Sequence, residues 1–162
     1  MNRNYHIICY GNYYMGDDGF GIHVYKKLQT VDLPERVQFF DAGLSGLKSL
    51  ELFENCDKVI LIDAIENGGE EGEIFRLNFE EISNILENRT DFSSHNLGLW
   101  EVLMVLKTSN IVSPLPEIVL FGVEVKKIHT FHTDLSVNLQ NSIHQVMQRI
   151  QDEIKELADA KV

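Results

Sequence analysis

Lys58-Val59-Ile60-Leu61-Ile62-Asp63 places four branched aliphatic residues in a row between a lysine and an aspartate. A strand with one wet face would alternate apolar and polar residues. An unbroken run means burial on both faces, the habit of a parallel strand covered by helices on either side. Residues 5–10, 37–41 and 117–123 repeat the pattern around Ile7-Ile8, Phe39-Phe40 and Ile118-Val119-Leu120-Phe121. Residues 73–77 mix Glu73 and Arg76 with Ile74, Phe75 and Leu77, which predicts a half-exposed edge strand. Between the runs the period becomes helical. Phe20, Val24 and Leu28 fall four apart, and Leu99, Val102, Leu103 and Leu106 form one stripe. Leu139, Ile143, Val146, Met147, Ile150, Ile154 and Leu157 form another. This alternation predicts an α/β fold, a three-layer α/β/α sandwich around a mostly parallel sheet, in a single domain over residues 1–162. Residues 66–73, with three glycines and four glutamates, and residues 109–116 are expected to be loops.

Composition narrows the function. The chain has 162 residues, 25 of them Asp or Glu against 14 Lys or Arg, for a formal charge of −11. Nucleic acid is an unsuitable partner, because binding it requires a basic face that displaces counterions from phosphates. Anionic membrane surfaces are excluded on the same ground. With 44% hydrophobic residues and a mean hydropathy of −0.12, the chain is apolar enough to fold, yet no run approaches the ~18 apolar residues of a membrane span. A domain near this length buries roughly 70% of its unfolded surface, so it needs no disulfide or structural metal. Cys9 and Cys56 have no zinc-site or disulfide spacing, and residues 1–6 lack the features of a signal peptide, so a reducing cytoplasm is expected.

In open α/β sheets ligands bind beyond the carboxyl ends of the strands. The first strand leads into Gly11-Asn12-Tyr13-Tyr14-Met15-Gly16-Asp17-Asp18-Gly19-Phe20-Gly21. The second ends in Asp41-Ala42-Gly43 and the third in Asp63-Ala64, while Ser93-Ser94-His95-Asn96 precedes the Leu99 stripe. Neighbouring strands lie only ~4.8 Å apart, so carboxylates at adjacent strand ends can converge. Gly16, Gly19 and Gly21 suggest a nucleotide loop, but Asp17 and Asp18 would repel a pyrophosphate at the helix N-terminus. The alternative is that one aspartate caps the helix, for which Asp17 is the candidate, and that Asp18 is held out as a ligand. Asp18, Asp63 and His95 then form an O, O, N set for a divalent metal with open positions, a chemistry shared by nickel, zinc, iron and manganese. Taken singly, Asp63 closing a strand or His95 opening a helix would be ordinary capping residues. His129 and His132, followed by Asp134, are a weaker second cluster. Gly43-Leu44-Ser45-Gly46-Leu47 lacks the glycine of a nucleophile elbow, and Cys9 reads as a buried strand residue.

These landmarks resemble the hydrogenase maturation proteases. The resemblance rests on Gly11-Asn12, the Met15 to Gly21 run, Asp41-Ala42-Gly43, Ile62-Asp63-Ala64, Ser94-His95-Asn96-Leu97, Phe121-Gly122-Val123-Glu124 and Leu135-Ser136, in order over most of the chain. It implies a twisted five-stranded sheet and an endopeptidase that trims the C-terminal extension from a nickel-iron hydrogenase large-subunit precursor after nickel insertion. It also implies metal-contacting roles for Asp18, Asp63 and His95. The nickel would arrive with the precursor and would not be tightly held by the free protein. Asp18 and Asp63 are the expected catalytic acids, since water must be activated by a carboxylate, by the metal, or by both. A monomer is expected. Cys9 stands where the family usually has a glycine, and Asp18 occupies a position where members carry Glu or Asp. The same ligands would also serve a non-cleaving nickel-sensing chaperone, or a metallopeptidase with its own ion.

Overall fold

A computed structural model describes residues 3–88, 97–126, 128 and 131–159. The apolar runs become strands β1 (Tyr5–Tyr10), β2 (Val37–Gly43), β3 (Lys58–Ile65) and β5 (Glu117–Glu124), and the mixed run becomes β4 (Ile74–Asn78). Their order across the sheet is β2-β1-β3-β5-β4, with every pairing parallel except β4 against β5. The helices are α1 (Phe20–Leu28), α2 (Phe79–Asn88), α3 (Leu97–Thr108) and α4 (Val137–Asp159).

Side chains alternate across the pleat, so each central strand feeds two cores. Tyr5, Ile7, Cys9, Ile60, Ile62, Val119 and Phe121 pack on one face with Phe20, Val24 and Leu28 of α1 and Leu139, Val146 and Ile150 of α4. Ile8, Tyr10, Val59, Leu61, Ile118 and Leu120 pack on the other with Ile82 and Leu86 of α2 and Leu99, Val102 and Leu103 of α3. Fully burying one such side chain contributes about 1.5–3 kcal/mol, so neither face of β1, β3 or β5 could be left wet. The expected three-layer sandwich and five-stranded, mostly parallel sheet are both present.

Two local expectations are corrected. The 37–41 run forms a sheet edge, not a doubly covered strand, and Gln38 and Asp41 on β2 are exposed. Two aromatic residues in a row do not reveal that, among the described residues, no strand lies beyond. The third strand continues past Asp63 to Ile65 because Ala64 and Ile65 pair with Val123 and Glu124 of β5. Residues 79–88 form α2, which turns Glu80, Glu81 and Glu87 outward and buries Ile82 and Leu86. Its start is secured by a reciprocal cap: Glu81 N–H donates to Asn78 Oδ1 at 2.9 Å, and Asn78 N–H donates to Glu81 Oε2 at 2.7 Å.

At the amino end of the sheet, Lys58 is buried but paired. Its Nζ lies 3.0 Å from Glu117 and 2.6 Å from Glu153 of α4, Glu153 also meets Arg76, and Arg3 reaches Glu117 at 2.8 Å. A lone buried ammonium would be costly; two carboxylates make it a clamp between sheet and last helix. The 66–73 loop is tied down by Glu124, a buried carboxylate that accepts from Asn67 N–H at 2.8 Å and Gly68 N–H at 3.2 Å.

Candidate active site

The strand order reverses around β1, since the chain moves outward from β1 to β2 and then back past it to β3. Parallel crossovers are right-handed, so the two connections must lie on opposite faces. Accordingly α1 packs with the first core, and Phe53, from the 3-10 segment Gly46–Phe53, packs with the second. The crevice between the carboxyl ends of β1 and β3 is therefore the topological switch point, where an α/β sheet opens. β1 and β3 pair as far as Cys9 with Ile62, and β1 has a register irregularity toward β2 between Cys9 and Tyr10. Asp63 is the first β3 residue beyond that pairing.

The loop after β1 returns over this opening. Gly11 has φ +139°, and a Cβ there would stand 2.3 Å from the Asp18 carbonyl oxygen, so only glycine lets the backbones meet. Asn12 N–H faces both the Asp18 carbonyl, at 3.2 Å, and its carboxylate Oδ2, at 3.3 Å. Gly16–Gly19 then forms one 3-10 turn leading into α1. Gly21, in the first turn of α1, rests on the strand ends: a Cβ there would lie 2.0 Å from Tyr10 O and 2.9 Å from Ile62 O. The glycine spacing that resembles a nucleotide motif thus serves backbone packing over the crevice.

Asp18 and Asp63 are both buried, at 4% and 5% exposure. Burial pushes the Asp63 carboxyl well above the ordinary carboxylate range, the negative charge of Asp18 pushes it further, and the Ala64 N–H, donating to Oδ1 at 2.8 Å, opposes both. Two carboxyls from different elements thus meet at the switch point, with Asp63 favouring its neutral form. A cation arriving there would reverse that preference. Chemically the pair can hold or exchange a proton, bind a divalent ion, or do both in turn.

His95, the third member of the expected set, lies outside the described residues, as does His129. Among the described residues, three or more His, Cys, Asp or Glu side chains nowhere gather into a metal cluster. His132 turns its Nδ1 to the Asp134 carbonyl at 3.0 Å. Cys9 is fully buried, and burial, with Asp41 and Asp63 nearby, raises its thiol pKa, which makes it inert.

Asp17 departs from its expected role. The N-cap position of α1 falls on Gly19, which has no side chain, and Asp17 Oδ1 accepts the N–H of Ser136, at 2.7 Å, just before α4. The sequence carried no sign of this bond, which spans 119 positions. The rim around the acids also carries exposed apolar side chains: Tyr14, Leu44, Leu47 and Phe131, the last 96% exposed at φ +58°. Main-chain bonds join these loops, from Gly11 N–H to Gly43 O and from His132 N–H to Tyr14 O. A separate cavity of about 610 Å³, lined by Asn4, Cys56, Asp57 and Pro114, sits at the opposite, amino end of the strands, away from the acids.

A three-layer α/β protein with paired acids at its switch point has a site suited to hydrolysis or metal chemistry. A family model described as hydrogenase maturation protease matches residues 22–153. MJ0253 of Methanocaldococcus jannaschii, whose name places it in the same family, is 33% identical over 153 residues, covering 92% of this chain and 95% of that protein. The hydrogenase 2 maturation protease of Escherichia coli is 31% identical over 62% of each chain. The solved structure of the hydrogenase maturating endopeptidase HybD from E. coli superposes with a TM-score of 0.80 at 25% identity, covering 94% of this chain and 93% of that one. The chain belongs to the hydrogenase maturation protease family, and it is a hydrolase acting on peptide bonds.

Proposed function

We propose that this chain removes the C-terminal extension of a nickel-iron hydrogenase large-subunit precursor once nickel has been inserted. The observation that carries this reading is a pair of buried carboxyls at the carboxyl end of the sheet, Asp18 and Asp63, close enough for the charge of one to act on the other. Nickel enters as part of the substrate. Asp18 and Asp63 offer it oxygen ligands, His95 completes the set from the segment before α3, and the precursor's own cysteines fill the remaining positions. The acids then serve twice: they read whether the metal is present, and they stand where a water must lose its proton as the peptide bond is attacked. This makes the enzyme aspartyl-type in its proton chemistry and metal-dependent in its substrate choice.

Its rim supports a folded partner. Tyr14, Leu44, Leu47 and Phe131 are exposed on the loops at this end of the sheet and suit the apolar part of a protein surface better than a small solute. Two free cysteines, Cys9 and Cys56, suit a reducing cytoplasm, and among the described residues no helix is long and apolar enough to cross a membrane. The test is to incubate the protein with nickel-loaded and nickel-free precursor and follow the mass of the large subunit's C-terminus. Loss of the extension from the loaded form alone is expected. An extension left intact on the loaded form overturns the reading.

A further inference from the structure

Adjacent in sequence, Asp17 and Asp18 leave one short turn for different destinations. Asp18 lies within the electrostatic reach of Asp63, whereas Asp17, 3% exposed, is bonded to the start of α4. We propose that Asp17 is a positioning residue for Asp18, using α4 as the fixed frame against which the acid-bearing turn is held. The inference rests on the reading of Asp18 and Asp63 as the reactive pair.

The turn cannot hold itself. It is four residues long, and Met15 before it makes no side-chain capping bond. A single 3-10 turn has weak internal hydrogen bonding, so its orientation depends on α1, into which it runs, and on the segments bonded to it. The turn runs on into α1, and Asn12 N–H donates to Asp18 O at 3.2 Å; the ties that reach it from far along the chain come from the segment before α4, where Gly16 N–H donates to His132 O at 2.6 Å, His132 N–H donates to Tyr14 O at 3.1 Å, and Ser136 N–H donates to Asp17 Oδ1 at 2.7 Å. Of these, only the last uses a side chain of the turn.

The frame is rigid. α4 has 23 residues, and Leu139, Val146, Ile150 and Ile154 anchor it in the first core. A serine immediately before a helix ordinarily caps it with its own hydroxyl. Here the Ser136 carbonyl accepts from Gln140 N–H at 2.9 Å, as a capping residue's should, while its buried Oγ has no hydrogen-bond partner among the described residues. The anion at the helix start is Asp17 instead, where the helix dipole favours a negative charge. One carboxylate therefore satisfies a helix N-terminus and fixes the neighbouring residue over the crevice.

The experiment compares Asp17→Ala, Asp17→Asn and Ser136→Pro with the wild type in precursor cleavage and in amide hydrogen exchange. Asparagine keeps an Oδ1 acceptor, and proline removes the donor from the other side of the bond. Asp17→Ala is expected to lower kcat about tenfold or more with KM within about twofold, Asp17→Asn to recover most of kcat, and Ser136→Pro to match the alanine variant. Asp17→Ala combined with Ser136→Pro should be no worse than either alone, because both break one bond. Exchange at the Asn12 amide should quicken about tenfold in Asp17→Ala while Val146 and Ile150 stay protected. An alanine variant with wild-type kcat, an asparagine variant as impaired as alanine, or unchanged Asn12 exchange overturns the proposal. If the wild type cleaves no precursor, the proposed function fails, and the exchange arm still decides the Asp17 tie.

Discussion

Asp63 stands one position beyond the last pairing of β1 with β3, buried, with the charge of Asp18 upon it. Burial and like charge together make the ionised pair unfavourable, which defines what substitution should do. Asp63→Asn removes a carboxyl that the fold already prefers neutral, so thermal stability should be unchanged or higher. Cleavage should fall at least a hundredfold, as it should in Asp18→Ala and His95→Ala. Unfolding curves and precursor processing measure the two effects; wild-type processing by all three variants would falsify the site assignment.

Gly21→Ala tests the packing of α1 on the strand ends. Its methyl would be built 2.0 Å from Tyr10 O, a backbone atom that cannot swing aside. A loss of about 1–3 kcal/mol in urea unfolding is expected, the range for overpacking a filled site. An unchanged midpoint would mean that the helix can lift from the crevice at no cost.

Acid should weaken the clamp at the other end of the sheet. For Glu153, burial alone would raise the carboxyl, but the hydrogen bonds from Arg76 and Lys58 outweigh it and hold it below the ordinary 4.5; for Glu117, burial is likewise outweighed by Arg3 and Lys58. A carboxyl depressed on folding contributes stability that is complete above its unfolded value and is lost as pH falls through its folded one. Stability should therefore drop below about pH 4.5. Glu153→Gln, which leaves Lys58 a single carboxylate, should cost about 1–3 kcal/mol at pH 7 and flatten the acid dependence. Equal acid slopes in the two proteins would contradict this.

Phe131 should matter to substrate docking and not to the bond-breaking step. Its ring is 96% exposed, with little packing to lose, so Phe131→Ala should leave unfolding unaffected. If the precursor covers it, removing an aromatic anchor worth about 1–2 kcal/mol raises KM roughly tenfold with kcat little changed. A KM equal to wild type would place the docking surface elsewhere.

Metal content separates substrate-borne nickel from a resident ion. The purified protein should hold far less than one equivalent of nickel or zinc by elemental analysis, and a chelator should leave it folded. Near-stoichiometric metal in the absence of precursor would instead favour a metallopeptidase with its own ion.

The sandwich was legible because burial on two faces leaves an unbroken apolar signature, as in Val59 to Ile62, while helices leave a stripe. The candidate acids stand out because Asp63 breaks the apolar run of β3 and Asp18 sits beside a second aspartate in a glycine-rich segment. Edge position is not legible: Phe39-Phe40 of β2 reads like a central pair, and only strand order places β2 at the edge of the described sheet. The partner of Asp17 is hidden for a related reason. Local capping rules assign an aspartate to the helix that follows it, whereas its partner, Ser136, lies at the start of a helix more than a hundred residues away.

By itself, then, the sequence determined the layers, the kind of sheet and the residue types available at its rim, since these follow from hydrophobic period and from side-chain chemistry. Tertiary structure decided which of those residues meet. The reversal of strand order around β1 opens the crevice, Gly11 and Gly21 let backbone close over it, and the tie from Asp17 to Ser136 holds the turn that carries Asp18. The physical reason is that periodicity records each residue's own burial, while the pairing of Asp18 with Asp63 depends on distances that no local pattern encodes.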